Sequence, residues 1–399
     1  MSRGTTGTGD RDARRRGPAP GPGGPPEGAA LPLLYRPWIE ALVGGAIPAE
    51  SEATCDRCAM LAPPPTPAAG RDRHPVAGGE LFFDPRIKCC TYVPALPNFL
   101  VGRILLDRAP ESAAGRASVE ARIAAGVGVT PAGLAQPPAY GLLYRNAADA
   151  FGRSVAMRCP HYRPDTGTCG IWRHRQSACT TWFCKYVRGT VGHRFWTALR
   201  HLLEAVERSL VAHCVLQLNP GVGALERIVV PPDRDTGPRL SAADLDGVPD
   251  AGRHRAAWGR YAGREREFYA ASARLVERFS WSDVTRVGGA EIELAAALVK
   301  ETCRALRSEA LPARLRVGPV QIAPLGPDRL RVTAYRAYDP LVIPRTLGDV
   351  LHHFDGRPTR SALAAIAAES GLEVDRAVVR RLVDFEVLVE DVPEAGQPE

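Results

Sequence analysis

The chain has 399 residues, of which 45% are hydrophobic and 24% are charged, and this supplies enough apolar material for two or three domains. Its formal net charge of +7 is spread along the sequence, and such a diffuse excess is typical of a solvated surface rather than of a nucleic-acid-binding protein. No apolar run reaches the length of a membrane helix, and the N-terminus lacks the apolar segment of a secretory signal. We therefore expect a cytoplasmic protein with no membrane association.

The composition changes along the chain and predicts a mainly α (α+β) fold in four parts. Residues 1–30 are rich in Gly, Pro and Arg and contain almost nothing to bury, so we expect a disordered tail there. A loop-rich, cysteine-containing metal-binding domain follows at 31–220, closed by amphipathic helices and with a Pro-rich loop at 62–70. Residues 221–310 are predicted to form a helical region, and residues 311–399 a small winged-helix-like domain.

The most informative feature of the sequence is a group of eight cysteines. They form a C-x-x-C pair, an adjacent pair and a longer downstream run: Cys55, Cys58, Cys89, Cys90, Cys159, Cys169, Cys179 and Cys184. In a reducing cytoplasm such thiols are better explained as metal ligands or redox groups than as a disulfide framework. The alternative is that they are small buried hydrophobic side chains. Pro, Gly and polar residues separate them without apolar periodicity, so the spacing predicts that all eight bind metal.

The type of ligand narrows the choice of metal. Thiolates are soft ligands, which favours zinc, iron in an iron–sulfur cluster, or copper(I) over magnesium and calcium. His161 and His174 lie within the cysteine run, where each either replaces a sulfur or serves as an outer hydrogen-bond donor or a plain loop residue. Cys214 and Cys303 lie outside the run and are expected to pack in the core. Neighbouring basic residues are expected to offset the thiolate charge; they are Lys88, Arg158, Arg163, Arg173, Arg175 and Lys185.

Beyond the cysteines, the spacing of apolar residues predicts helices. The first runs from about Phe195 to Leu210, with Glu204 and Arg208 forming an i,i+4 ion pair on another face. A strand is predicted at Arg227–Val230. Two further helices are predicted at about Arg255–Phe279 and Ala290–Ser308.

The C-terminal part alternates short strands with short helices. Strands are predicted at 329–336, 340–344 and 387–391, and helices at about 347–354, 359–371 and 374–385, the second capped by Thr359 and ended by Gly371. This order describes a winged-helix-like module and resembles the PqqD-like modules that hold precursor peptides.

The charge pattern of this module favours a protein or peptide partner over nucleic acid. Arg376, Arg380 and Arg381 lie on its last helix, but an excess of acidic residues surrounds them and would repel the phosphates of a duplex. Residues 347–385 also contain no Asn or Gln to read bases. An edge strand can pair with an extended peptide. We expect the module either to dock such a partner or to pack on the metal-binding domain.

The cysteine run carries a resemblance to a known family. The stretch CPHYRPDTGTCGIWRHRQSACTTWFC, with an upstream C-x-x-C and an adjacent cysteine pair, resembles the YkgJ-type cysteine-cluster family of zinc- or iron-chelating proteins. Trp172, Gln176 and Thr180 depart from the Tyr, Pro and Arg of that family, and thirty residues separate the two upstream pairs. The resemblance covers roughly a third of the chain and implies metal binding by the cysteines. The matching positions are Cys159, Gly167, Cys169, Ile171, Arg175, Cys179 and Cys184.

No motif in the sequence predicts a particular reaction. The chain has no phosphate-binding loop, no H-E-x-x-H, no G-x-S-x-G and no C-x3-C-x2-C. The resembling family has no single reaction either, although flagellin lysine N-methylases carry a similar cluster. Three interpretations stay open: a metal-binding protein that serves protein or peptide modification or electron transfer, a zinc-stabilised DNA-binding protein, and a structural interaction module in which metal replaces a hydrophobic core.

Overall fold

The structure, a computed structural model, describes residues 31–47, 55, 58, 61, 82–182, 188–229, 240–337 and 339–392. Of these residues about 56% are helical and 11% lie in strands, so the fold is mainly α with some sheet. Among the described helices, none combines the length and the apolar character that crossing a bilayer requires. The predicted tail at 1–30 and the Pro-rich loop at 62–70 lie outside the described residues.

The regular elements of the described residues are as follows. The α-helices are α1 (Tyr35–Val43), α2 (Asn98–Leu106), α3 (Ala113–Ala125), α4 (Pro138–Asn146), α5 (Ser177–Thr180), α6 (Gly189–Leu218), α7 (Val222–Val229), α8 (Ala242–Leu245), α9 (Ala251–Trp258), α10 (Glu265–Val276), α11 (Trp281–Arg307), α12 (Arg345–Asp349), α13 (Thr359–Ser370) and α14 (Arg376–Asp384). The strands are β1 (Leu96–Pro97), β2 (Val129–Thr130), β3 (Gly133–Leu134), β4 (Tyr162–Arg163), β5 (Thr168–Cys169), β6 (Arg314–Val317), β7 (Gln321–Pro324), β8 (Arg329–Thr333), β9 (Leu341–Pro344), β10 (Asp355–Pro358) and β11 (Leu388–Glu390).

The long helix α6 is the centre of the helical core. Its apolar face packs against α11, α1 and α2, and the predicted helix at about Phe195–Leu210 is confirmed within it. The predicted core positions of Cys214 and Cys303 are confirmed, since both side chains are buried in this cluster. The predicted ion pair between Glu204 and Arg208 is wrong. Glu204 lies 3.6 Å from Arg200 one turn earlier, and Arg208 reaches across to Glu291 on α11.

The region after α6 differs from its predicted elements in two places. The strand predicted at Arg227–Val230 is wrong, because these residues up to Val229 belong to α7. Leu225 and Ile228 are three residues apart and share the face of this helix that packs on the core. The helix predicted at about Arg255–Phe279 is two helices, α9 and α10. Gly259 and Gly263 between them adopt positive φ angles of 47° and 80°, which a continuing right-handed helix does not allow.

The helix α11 is longer at its start than predicted. Ser280 and Asp283 form a reciprocal capping box there, with the Ser280 side chain accepting from the Asp283 backbone. Gly289, with a φ of 60°, interrupts the helix close to the predicted start at Ala290. The sequence pattern therefore predicts only the part of α11 that follows this kink.

The C-terminal residues contain a hydrophobic cluster of their own, which runs from Leu315 to Leu388. Two antiparallel three-stranded sheets with the orders β7-β8-β9 and β10-β6-β11 frame it. The strands predicted within 329–336, 340–344 and 387–391 are confirmed as β8, β9 and β11. The predicted helix at 347–354 is shorter, since α12 ends at Asp349 and a 3-10 turn follows at Leu351–His353.

One predicted helix cap in this part is wrong and another is confirmed. Thr359 is the first residue of α13, and its hydroxyl donates to the carbonyl of Pro312 instead of capping the helix. The four residues before it, Asp355–Pro358, form strand β10 against β6 and fix Thr359 in this position. Gly371 ends α13 in the left-handed conformation, with a φ of 69°.

Candidate metal centre

Six of the eight predicted metal ligands line one small cavity. Its volume is about 60 Å³, and the cysteines on its wall are Cys55, Cys89, Cys90, Cys159, Cys169 and Cys179, all of them free thiols. Cys58 is half-buried and is not part of the wall. Cys184 lies outside the described residues. The structure thus brings together cysteines from segments far apart in the sequence.

Backbone hydrogen bonds hold three of these segments together. The amide of Cys159 donates to the carbonyl of Cys90 over 2.6 Å, which joins the adjacent pair to the downstream run. The two-residue strands β4 and β5 then form a hairpin in which Tyr162 lies opposite Cys169. The amide of Gly170 donates to the carbonyl of His161 over 2.8 Å beyond the hairpin. This hairpin places Cys159, His161 and Cys169 along one side of the cavity.

Lys88 connects the upstream cysteine to the hairpin. Its side chain is buried, and its ammonium donates to the carbonyl of Cys55 and, over 2.6 Å, to the carbonyl of Gly167. The Lys88 backbone is left-handed, with a φ of 56°. The ammonium therefore ties Cys55 to the turn of the β4–β5 hairpin. The sequence suggested only a counter-charge for this residue.

Arg175 is the predicted counter-charge that lines the cavity. It is 4% exposed and lies on the wall, with its guanidinium carbon 3.3 Å from the centre of the Trp172 ring. Among the described residues, the other predicted counter-charges, Lys88 included, do not line the cavity. Arg163 pairs with Asp165 and Arg173 with Glu111, whereas Arg158 is exposed. Lys185 lies outside the described residues.

Burial governs the acidity of the thiols. It raises the pKa of Cys55, Cys159 and Cys169 to about 12 each, with the charge of Arg175 opposing the effect at Cys55 and Cys169. Burial raises the pKa of Cys179 as well. Cys89 differs, because its hydrogen bond with Cys90 lowers the pKa of Cys89 and raises that of Cys90. At neutral pH the metal-free cavity is therefore lined mostly by protonated thiols.

The two histidines of the cysteine run occupy different environments. His161 is buried on the cavity wall, with Nδ1 2.8 Å from the hydroxyl of Ser118. Burial and the charge of Arg122 lower the pKa of His161 to about 3, so the ring is neutral. His174 is also buried, but its Nε2 bonds Asp107 over 2.8 Å and it does not line the cavity.

The donor set of the cavity suits a soft or borderline metal. Sulfur atoms dominate it, and the rest of the wall is largely aromatic or aliphatic, including Phe151, Ile171 and Trp182. In the described part of the chain, no three His, Cys, Asp or Glu side chains are already gathered closely enough to hold one ion. The cavity therefore gathers thiols along its wall without a preassembled set of ligands among the described residues.

A buried carboxylate that the sequence pattern did not predict anchors α5, the short helix that brings Cys179 to the cavity wall. Glu207 on α6 accepts hydrogen bonds from the hydroxyl of Tyr35 over 2.5 Å, and from the amide and hydroxyl of Ser177 over 2.7 Å each. Ser177 begins α5, the short helix that carries Cys179. The sequence held a signal for this role, since Glu207 lies on the same helix face as the buried Leu203 and Leu210.

Comparisons with protein-family models, with curated proteins and with solved structures found no match to this chain. The resemblance to the YkgJ-type family therefore depends only on the residues quoted from the sequence. The interpretation of the site depends on its own chemistry.

Proposed function

We propose that this protein binds zinc, or iron in an iron–sulfur cluster, through the cysteine cavity. The observation that carries the proposal is that six cysteines from distant segments share one wall. Cysteines that act only as small hydrophobic residues occur here as well. Cys214 and Cys303 are buried among aliphatic and aromatic side chains of the helical core. The six cavity cysteines instead lie beside the guanidinium of Arg175 and the imidazole of His161.

The residues around the thiols fit the needs of a metal site. Thiolates bring negative charge into a buried space, and the adjacent positive charge of Arg175 opposes it. Lys88 holds two of the ligand-bearing loops in place through their carbonyls. Phe151 and Trp182 keep water from part of the wall. A bound iron–sulfur cluster would supply electron transfer, or redox chemistry for the modification of a protein or peptide, whereas zinc would supply a fixed structural or Lewis-acid centre.

Elemental analysis tests this proposal. The full chain is purified anaerobically without chelators, and zinc, iron and the visible spectrum are measured on one sample. We expect about one or more equivalents of metal, with visible absorbance if the metal is an iron–sulfur cluster. Less than about half an equivalent of zinc plus iron in folded protein would overturn the proposal.

Serine variants identify the ligands. Cys159→Ser, Cys169→Ser and Cys179→Ser are expected to lose most of the metal, because a hydroxyl is a poor ligand for zinc or iron–sulfur centres. Cys214→Ser and Cys303→Ser are the matched controls, since both thiols are buried but lie away from the cavity. Equal loss from a cavity variant and a control, at equal helical content, would contradict this ligand set.

We further propose that residues 311–392 form a winged-helix-like module that docks a protein or peptide. Its separate hydrophobic cluster and its order of strands and helices support this fold. Arg376 and Arg380, two of the basic residues on α14, donate to the carbonyls of residues 308–310 and are not directed at a phosphate backbone. Tight, salt-sensitive binding of the full chain to duplex DNA at physiological ionic strength would favour the DNA-binding alternative instead.

A further inference from the structure

We propose that His161 is itself a metal ligand of the cysteine cavity and binds through Nε2. This inference rests on the proposed metal binding and extends it to a mixed sulfur and nitrogen site. It starts from the hydrogen bonds of one serine. The hydroxyl of Ser118 donates to the carbonyl of Gly115 over 2.8 Å, and a hydroxyl has only one proton to give. One arrangement satisfies both contacts of Ser118: its hydroxyl donates to Gly115, and the imidazole of His161 donates to the hydroxyl oxygen.

This arrangement assigns the proton of the neutral imidazole to Nδ1. With Nδ1 protonated and donating to Ser118 over 2.8 Å, Nε2 carries a lone pair. Nε2 is buried and has no hydrogen-bond partner among the described residues. An unpaired buried acceptor is costly, and a metal ion in the cavity would satisfy it. Histidine ligands commonly donate their second ring nitrogen to an outer partner in this way.

The placement of the ring supports the same role. The His161 side chain is 2% exposed and lies on the cavity wall, two residues from Cys159 and across the hairpin from Gly170, the residue after Cys169. His174 provides the contrast. Its Nδ1 is also buried and without a hydrogen-bond partner among the described residues, but its ring bonds Asp107 and lies off the cavity. Both histidines are therefore buried, and what distinguishes them is that only the His161 ring lies on the cavity wall.

Charge favours one neutral ligand in this cavity. A divalent ion with four thiolates carries a net charge of about −2, and replacing one thiolate by imidazole reduces it to about −1. A buried net charge is costly unless it is balanced. Arg175 is the cation on the described cavity wall, and one positive charge balances the mixed site better than the all-sulfur site.

Cobalt(II) provides the probe, because its visible bands report the ligands of a zinc-type site. Reduced, metal-free full chain is titrated with Co²⁺ alone. Wild type is expected to show thiolate-to-cobalt charge transfer and bands of a mixed site. His161→Gln should weaken Co²⁺ binding on the order of 100-fold, and Ser118→Ala on the order of 10-fold through loss of ring orientation. His161→Cys should keep the binding but shift the bands to those of an all-sulfur site.

His174→Gln is the control and should leave both the spectrum and the affinity unchanged. Identical spectra and affinities for wild type and His161→Gln would overturn the role of His161 and leave cysteine binding intact. Absence of any thiolate-to-cobalt band in wild type would overturn the proposed function and this inference together. If the His161 variants do not fold, X-ray absorption of the wild-type zinc protein tests the inference instead. We then expect a nitrogen shell at about 2.0–2.1 Å from zinc in addition to sulfur at about 2.3 Å. A sulfur-only fit overturns the inference.

Discussion

At the scale of single residues, two opposing effects set the pKa of Glu207. Three donated hydrogen bonds from Tyr35 and Ser177 favour its ionised form, and burial favours its protonated form. Burial is the larger effect and, helped by the nearby charge of Glu204, raises the pKa of Glu207 to about 7. The carboxyl group of a residue on a core helix thus titrates within the physiological range.

Replacing Glu207 by glutamine should flatten the pH dependence of stability. The pKa of about 7 in the folded chain lies above the ordinary value of 4.5, so the contribution of Glu207 is fully present below about pH 4.5. It is lost as pH rises towards and through 7, by about 3 kcal/mol. Glu207→Gln cannot ionise and should lack this fall. Urea unfolding at pH 5 and pH 8 measures this fall, with Glu301→Gln, an exposed residue on α11, as the control. Parallel profiles for wild type and Glu207→Gln would refute the assignment.

The candidate site shows what residue patterns can and cannot predict. The spacing of the cysteines identified six residues that line one cavity, because paired thiols stand out against any apolar periodicity. The link from Lys88 to Cys55 was not predictable, since it uses backbone carbonyls, which every residue has. The position of His161 required Ser118 from a separate helix. Such contacts depend on the tertiary fold and leave no local pattern.

At the scale of elements, a contact between glycines places α3 against the hairpin. A Cβ atom at Gly115 would collide with the carbonyl of Gly170, the residue that follows Cys169. Gly115→Ala should therefore destabilise the protein by about 1–3 kcal/mol and lower its metal content. Gly141→Ala on α4 is the matched control, because the nearest atom to its new Cβ would be a flexible arginine nitrogen at 3.5 Å. There the change should be neutral or stabilising by up to about 1 kcal/mol.

Thermal unfolding and metal analysis of both glycine variants check this prediction. Equal stability of Gly115→Ala and Gly141→Ala would show that α3 does not hold the hairpin in solution.

The helices also show the limits of apolar periodicity as a predictor of secondary structure. The wide apolar stripe of α6 predicts its helix, whereas the apolar residues of α7 end in the β-branched pair Ile228 and Val229, which favours a strand. Short elements contain too few residues for the helical period of about 3.6 to be distinguished from the strand period of about 2.

At the scale of the whole molecule, the hydrophobic cluster around α6 and the cavity share no residue, whereas Cys169 and Ile171 of the cavity wall pack in a second cluster with α2, α9 and α10. The cluster around α1, α2, α6 and α11 contains none of the six cavity cysteines. Removal of metal by a chelator should therefore leave most of the helical circular dichroism intact. Amide exchange should instead speed up by about tenfold or more around Cys90 and the β4–β5 hairpin. Complete unfolding on chelation would favour the interpretation in which metal replaces the core.

A largely buried ion pair lies at the junction between the C-terminal module and the helical core. Arg188, which precedes α6, forms two hydrogen bonds of 2.9 and 2.8 Å with the buried carboxylate of Asp384 on α14. The same guanidinium donates to the carbonyls of Leu306 and Ser308 at the end of α11. Close contact reinforces the junction, since a Cβ at Gly189 would collide with the carbonyl of Asp384. Arg188 therefore joins three helix ends.

Asp384→Ala should loosen this junction, because it removes the carboxylate from a guanidinium that is only 23% exposed. We expect a loss on the order of 2–3 kcal/mol, below the range of a fully buried pair because Arg188 keeps some contact with water. Limited proteolysis between Arg307 and Arg314 should become faster, while the helical core stays resistant. Glu386→Ala is the control, since its 3.2 Å pair with Arg194 is exposed and should contribute less than about 0.5 kcal/mol. Equal cleavage rates in the two variants would mean that the module is held by its apolar contacts and not by this ion pair.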